Sequence, residues 1–316
     1  MFIVHYKKIF LGIGAALVGG AVAAILALGM PLGIDFAGGT LLEVRYEEER
    51  PAAPQVQEAL EAIAIGSVSV RTSGEDGFII RTRALAEAER QVVVEQLAID
   101  TAEPVLERVT TIGPSLGSEL ARKALVALAV LSLIVLLYIA YVFRKVSRPV
   151  PSYVYGAIVV VVLLHDILLP AGFFALMGVL FGAEIDALFV VALLAILGYS
   201  VNDTIVVFDR IRENLRDNQE KELEEVFPLT VGKSLQQTYV RSINTSLTTA
   251  LALLALFFFG APVTENFALT LLIGVVAGTF SSLFIAAPLL VAVQERWFRR
   301  SNLAPKEDEE DTTPRA

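Results

Sequence analysis

Asp203 stands near the end of a long apolar run, within Gly198-Tyr199-Ser200-Val201-Asn202-Asp203-Thr204-Ile205-Val206-Val207-Phe208-Asp209, where a lipid-facing helix would carry Leu or Val. An ionisable side chain in hydrocarbon costs about 3 kcal/mol or more unless it is paired or faces a cavity, so this carboxylate is a candidate for moving protons. On a helix, Ser200, Asp203, Thr204 and Val207 share one face by i, i+3, i+4, i+7 spacing, with Asn202 on the flank. Another apolar run begins with Arg241 and carries Asn244, Thr245 and Thr248 along one stripe by the same spacing. An Arg at a helix entrance ordinarily reaches to the headgroups. Opposite an intramembrane Asp entered from the same side, it is a counter-charge. Burial and a neighbouring guanidinium act in opposite senses on a carboxylate's proton affinity, so moving the Arg or admitting water would switch the proton on and off. His165-Asp166, near the centre of a third run, is either a second part of such a relay or a polar pair bonded to neighbouring helices.

The elements that must hold these groups are membrane spans. The 316 residues are 55% hydrophobic, and several runs reach the roughly 20 residues needed to cross about 30 Å of hydrocarbon. Hydropathy places spans at Ile9 to Met30, Ala124 to Phe143, Tyr153 to Leu180, Ala187 to Phe208, Ile243 to Phe259 and Phe267 to Val293. The first apolar stretch exceeds the roughly 7–15 residues of a signal-peptide core, which favours a span over a cleaved leader. No Cys is present and His5 and His165 are the two histidines, which excludes disulfides, thiolate chemistry and His-rich metal sites; no metal or other cofactor is expected. A net charge of -9 argues against nucleic acid as a partner, and no Walker loop or nucleophile–base set points to a hydrolytic enzyme.

Between the first two spans lies a polar stretch of about 90 residues, the size of a small folded domain. Leu41 to Tyr46, Val68 to Thr72, Phe78 to Thr82 and Val105 to Ile112 read as strands, and Pro54 to Ala64 and Leu85 to Leu97 as helices. The order β-α-β-β-α-β is that of a ferredoxin-like α+β domain. Gly33-Ile34-Asp35-Phe36-Ala37-Gly38-Gly39-Thr40 lacks the strand-then-helix context of a phosphate cradle. Gly33, Asp35, Gly38 and Gly39 read instead as a tight turn between membrane and sheet, with Gly113 and Pro114 as the matching break on the return.

The expected organisation is therefore 1–32, N-terminus and first span; 33–119, ferredoxin-like domain; 120–300, spans two to six with a connecting loop at 209–240; and 301–316, an acidic tail too polar to fold. Lys7 and Lys8, Arg144, Lys145 and Arg148, the Arg- and Lys-bearing 209–240 stretch, and Arg296, Arg299 and Arg300 all fall on one side of a six-span arrangement. The loops after spans three and five carry no Lys or Arg, so both termini are expected in the cytoplasm and the α+β domain outside.

Four motifs together carry a resemblance: Gly33 to Thr40 after span one, Ile112-Gly113-Pro114-Ser115-Leu116-Gly117 before span two, Gly198 to Thr204 running into Phe208-Asp209-Arg210-Ile211-Arg212-Glu213-Asn214, and Arg241-Ser242-Ile243-Asn244-Thr245-Ser246. In this order on six spans they resemble the SecF family of protein-export membrane subunits, within the resistance-nodulation-division superfamily. The resemblance implies a bacterial cytoplasmic-membrane protein paired with SecD in a twelve-span unit. That unit would use the proton gradient to help the SecYEG channel and the SecA motor complete export of unfolded preproteins. It also implies that Asp203 and Arg241 are relay residues, that His165-Asp166 matches a frequent family pair, and that a further carboxylate comes from SecD. Residue counting puts Asp203 on the cytoplasmic half of its span, so Asp166 or the SecD carboxylate would have to bridge toward the outside. Two competing readings use the same residues: a proton-coupled exporter of small molecules or lipids, and a passive scaffold whose polar residues are interhelical glue.

Overall fold

The computed structural model describes residues 2–47, 49–63, 65–99, 102–144 and 150–303, with side chains through Arg296. Lys145, Arg148, the side chains of Arg299 and Arg300, and the acidic segment from 304 onward lie outside that description. In chain order the elements are α1 (Phe2–His5), α2 (Lys7–Leu28), α3 (Ile34–Ala37), β1 (Gly39–Tyr46), α4 (Ala53–Glu61), β2 (Ser69–Ser73), β3 (Gly77–Thr82), α5 (Glu87–Gln96), β4 (Pro104–Ile112), α6 (Pro114–Val142), α7 (Ser152–Phe181), α8 (Ala187–Glu220), α9 (Phe227–Phe259), α10 (Pro262–Ser281), a π segment (Ser282–Ala286) and α11 (Ala287–Leu303). Among the described residues six helices are long and apolar enough to span a membrane: α2, α6, α7, α8, α9, and the α10–π–α11 column.

The sheet has the order β2-β3-β1-β4, every neighbouring pair antiparallel, which is the ferredoxin-like topology expected from the strand and helix sequence. Alternation decides its core. Leu42, Val44, Tyr46, Phe78 and Ile80 point to one face and bury against Val56 and Leu60 of α4 and Val93 of α5. Polar groups at this core's edge are satisfied: Tyr46 Oη donates to the Leu97 carbonyl (2.9 Å), and Thr40 Oγ1 accepts from the Leu85 amide (2.9 Å).

The helices depart from the sequence expectation in two places. Gly113-Pro114 does break the chain between β4 and span two, as expected, but α6 begins at Pro114 itself, ten residues before the apolar run, because proline at a helix's first position has its φ already set and needs no amide partner. The segment 209–240, expected as a loop, is helical over 209–220 and 227–240, so α8 and α9 form one long hairpin turning at Lys221–Val226. Charged residues there continue the helices as i, i+3 and i, i+4 pairs, among them Arg210–Glu213 (2.8 Å) and Arg216–Glu220 (2.7 Å).

The turn around Gly33 joins sheet to membrane helices. Gly33 N donates to the Ile185 carbonyl (2.8 Å), Ile185 N donates to the Pro31 carbonyl (2.7 Å), and Asp35 Oδ2 accepts from the Ala187 amide (2.8 Å) at the start of α8. Ile34–Ala37 makes one helical turn, closed by Gly38 (φ +76°) and Gly39 (φ +141°). A side chain at Gly38 would strike Pro114 Cα at 2.8 Å, and one at Gly39 the Thr82 carbonyl at 2.6 Å, so both positions require glycine. Arg71 (3.1 Å) and Arg81 from the helix-free face of the sheet both pair with Glu184 in the α7–α8 connection. Burial raises the proton affinity of Glu184, and the two guanidinium groups oppose that effect.

Candidate functional site in the membrane helices

Helices α7, α8 and the α10–π–α11 column form the buried centre; about half of each apolar window is buried, against about a tenth in α2, α6 and α9. Close approach of α8 and α10 follows from Gly274 and Gly278, spaced as in a G-x-x-x-G pair. A Cβ on Gly274 would lie 2.2 Å from Ile196 Cδ1, and one on Gly278 3.1 Å from Ser200 Cβ.

That approach assembles a polar hub on Asp166, which is 0% exposed. Its Oδ2 accepts from Ser200 Oγ of α8 and from Ser281 Oγ of α10 (2.9 Å); its Oδ1 lies 2.8 Å from His165 Nδ1. Pro170, four residues on, has no amide to offer the Asp166 carbonyl, so the helix backbone is also loosened at this level. Next to the hub, Thr204 and Ser282 hydroxyls are 2.9 Å apart where α10 gives way to the π segment. Pro288 cannot supply the amide that an α-helix would direct to Phe284, which is consistent with the wider turn over Ser282–Ala286.

Asp203 lies one turn beyond Ser200 from the sheet-side end of α8, about 24 Å along the helix by its rise per residue. It is 4% exposed, and its Oδ2 is buried without a hydrogen-bond partner among the described residues. Ser200, Asp203, Thr204 and Val207 are all buried, so the face read from their spacing is the inward one, while Asn202 is exposed.

The stripe on α9 is different. Arg241, Asn244, Thr245 and Thr248 are exposed, and the guanidinium makes no hydrogen bond to the buried Asp203 oxygen, though it lies near enough for its charge to act on that carboxylate. Thr245 and Thr248 hydroxyls donate to carbonyls of their own helix. The inward face carries Thr230, Ser234, Thr238, Ser242 and Ser246, every fourth residue and all buried. Ser246 Oγ accepts from Tyr199 Oη (3.2 Å) and Thr279 Oγ1 (2.6 Å), tying α9 to α8 and α10. This four-residue recurrence of small hydroxyls is visible in the sequence and was the available signal; the more polar stripe beside it, headed by an arginine, competed with it.

Family models match the chain over most of its length: "Protein export membrane protein SecD/SecF, C-terminal" over residues 93–296 and "SecD/SecF GG Motif" over 23–49. The chain belongs to the SecF family. Protein translocase subunit SecF of Thermobaculum terrenum is 42% identical over 87% of this chain and 88% of that protein, and the SecF of Anaerolinea thermophila is 36% identical over 93% and 96%. Among solved structures, SecDF from Thermus thermophilus, described as a translocon-associated membrane protein, superposes with a TM-score of 0.80 at 31% identity over 94% of this chain. SecDF in its "Super-membrane-facing form" superposes with a TM-score of 0.65. This SecF-family chain spans 39% of the length of either SecDF chain.

Proposed function

We propose that this chain is the SecF subunit of a bacterial protein-export translocase. It works with SecD beside the SecYEG channel and the SecA motor, and it couples inward proton flow to late-stage movement of unfolded preproteins. Asp203 is the proton-carrying group, Asp166 with His165 the group that passes the proton toward it, and protons are the coupling ion. One observation carries the reading: a buried, unpartnered carboxylate oxygen on Asp203, one turn from a serine that donates to a second buried carboxylate. Two ionisable groups at such depth are costly unless they serve a path.

The exposed stripe of α9 supports the partnership. Arg241 among Asn244, Thr245 and Thr248 is a poor lipid-facing surface, and an adjoining SecD helix carrying a carboxylate would complete it. The Lys- and Arg-bearing ends of the helices support a cytoplasmic location for both termini, with the ferredoxin-like domain on the outer side of the cytoplasmic membrane. One proton crossing about 100 mV yields about 2.3 kcal/mol, so export of a whole preprotein requires many cycles.

The test is Asp203→Asn in the complex with SecD. Gradient-dependent export is expected to fall to background while complex recovery stays at the wild-type level. Export at the wild-type rate by that variant would overturn the reading.

A further inference from the structure

The relay proposed above needs an exit on the side of the α8–α9 hairpin, and the packing of these two helices offers one. Tyr199 contacts Ser246, Asp203 one turn further along the antiparallel pair lies between the levels of Ser246 and Ser242, and a second turn brings Val207 toward the level of Thr238. Ser242 is 1% exposed, and its hydroxyl, like Asp203 Oδ2, is buried without a hydrogen-bond partner among the described residues. Two buried polar atoms left unpaired on facing helices of one seam are what buried water satisfies.

Beyond this level hydroxyls line the seam at every fourth residue, each held to a group of its own helix or the hairpin turn, so passage between them needs bridging water. Thr238 Oγ1 donates to the Ser234 carbonyl (3.0 Å), and Ser234 Oγ donates to the Thr230 carbonyl (2.7 Å) while accepting from Asn214 Nδ2 (2.8 Å). Thr230 Oγ1 donates to Glu225 Oε2 (3.1 Å) and accepts from Asn218 Nδ2 (3.1 Å). Glu225 lies in the turn of the hairpin, paired with Lys233, whose ammonium holds the carboxylate below its usual range. The weak point is the second turn: Val207 is fully buried there, and the Thr238 hydroxyl is turned to its own backbone.

We infer that the α8–α9 seam is the release path for the proton held at Asp203, with Ser242 as first acceptor, Thr238 against Val207 as its gate, and Glu225 as the surface acceptor. Each hydroxyl or bridging water takes one proton from the sheet side and gives one up on the hairpin side, so none of these changes its net charge, while Asp203 is left as a carboxylate and Glu225 is protonated until it releases the proton to water. In the closed state rotation of the Thr238 hydroxyl away from Ser242 breaks the series. Asp203 itself is faced from α7 and α10 by the Asp166 hub one turn away and from α9 by Ser246, and the charge of the exposed Arg241 beside the seam also acts on it.

This inference rests on the relay reading of Asp203, and the test separates the two. The complex of this chain with its SecD partner is reconstituted in vesicles enclosing a pH-sensitive dye, and proton entry under an imposed gradient is measured for D203N, S242A, S242T, T238V and V207T. Expected are background flux for D203N, at least fivefold slower flux for S242A and T238V, recovery to within twofold for S242T, and faster flux for V207T, which adds a hydroxyl at the gate. Wild-type flux in S242A and T238V alongside background flux in D203N overturns the release path and leaves the relay reading standing. Wild-type flux in D203N overturns the relay reading and the path with it. Slower flux that merely tracks reduced recovery of the assembled complex, without rescue by S242T, also overturns the path.

Discussion

Ser281 of α10 and Ser200 of α8 donate to the same oxygen of Asp166, so one carboxylate on α7 ties three central helices together. A carboxyl group buried this deeply needs such donors, and losing one leaves a group unsatisfied at a cost of about 1–3 kcal/mol.

Ser281→Ala is accordingly expected to lower the thermal stability of the detergent-solubilised protein by about 1 kcal/mol, with a larger loss for Asp166→Ala, which strands both serines and His165. Asp166→Asn keeps the shape and can still accept from a serine. It is expected to remain folded while losing gradient-dependent export, and thermal melting set beside an export assay separates the two effects.

Gly278 sets the distance between α10 and Ser200. Gly278→Leu is expected to separate α8 from α10, break the Ser200–Asp166 bond and abolish export, because the first side-chain carbon already approaches Ser200 Cβ to 3.1 Å. Cross-linking between cysteines placed at 196 and 274, in a chain with no natural cysteine, should become several-fold less efficient in this variant.

Glu184 joins two arginines of the sheet to the connection between the two carboxylate-bearing helices. Glu184→Gln removes the charge while the backbone contacts of Gly33 and Ile185 remain. Hydrogen exchange at β2 and β3 is expected to quicken several-fold while α4 and α5 stay unchanged. Equal protection in all four elements would show that the ion pairs contribute nothing to docking.

Glu89 caps α5 through the Ala86 amide (2.9 Å) and pairs with Arg83 (2.5 Å), which lowers its pKa to about 2. A carboxylate with a depressed folded-state pKa stabilises the fold above its ordinary value near 4.5, and that contribution disappears as pH falls toward 2. Amide protection at the start of α5 should decline across this window, and Glu89→Gln should flatten the decline while lowering protection at neutral pH.

Sequence alone determined what depends on local pattern. Hydropathy located the six spans, period-two alternation with helical repeats placed β1–α4–β2–β3–α5–β4, and i, i+3, i+4 spacing put Ser200, Asp203 and Thr204 on one inward face of α8. Tertiary structure decided what depends on which helix faces which. Within a bilayer both lipid and neighbouring helices are apolar, so polarity does not say which side of a helix is covered. Hence α9 turned Ser242 and Ser246 inward and left Arg241, Asn244, Thr245 and Thr248 outside, although the second set looked more functional in the sequence. The same holds for Asp166: its place at a junction of α7, α8 and α10 comes from the glycine-mediated approach of α8 to α10 and from the π segment, packing features that no single helix's sequence contains.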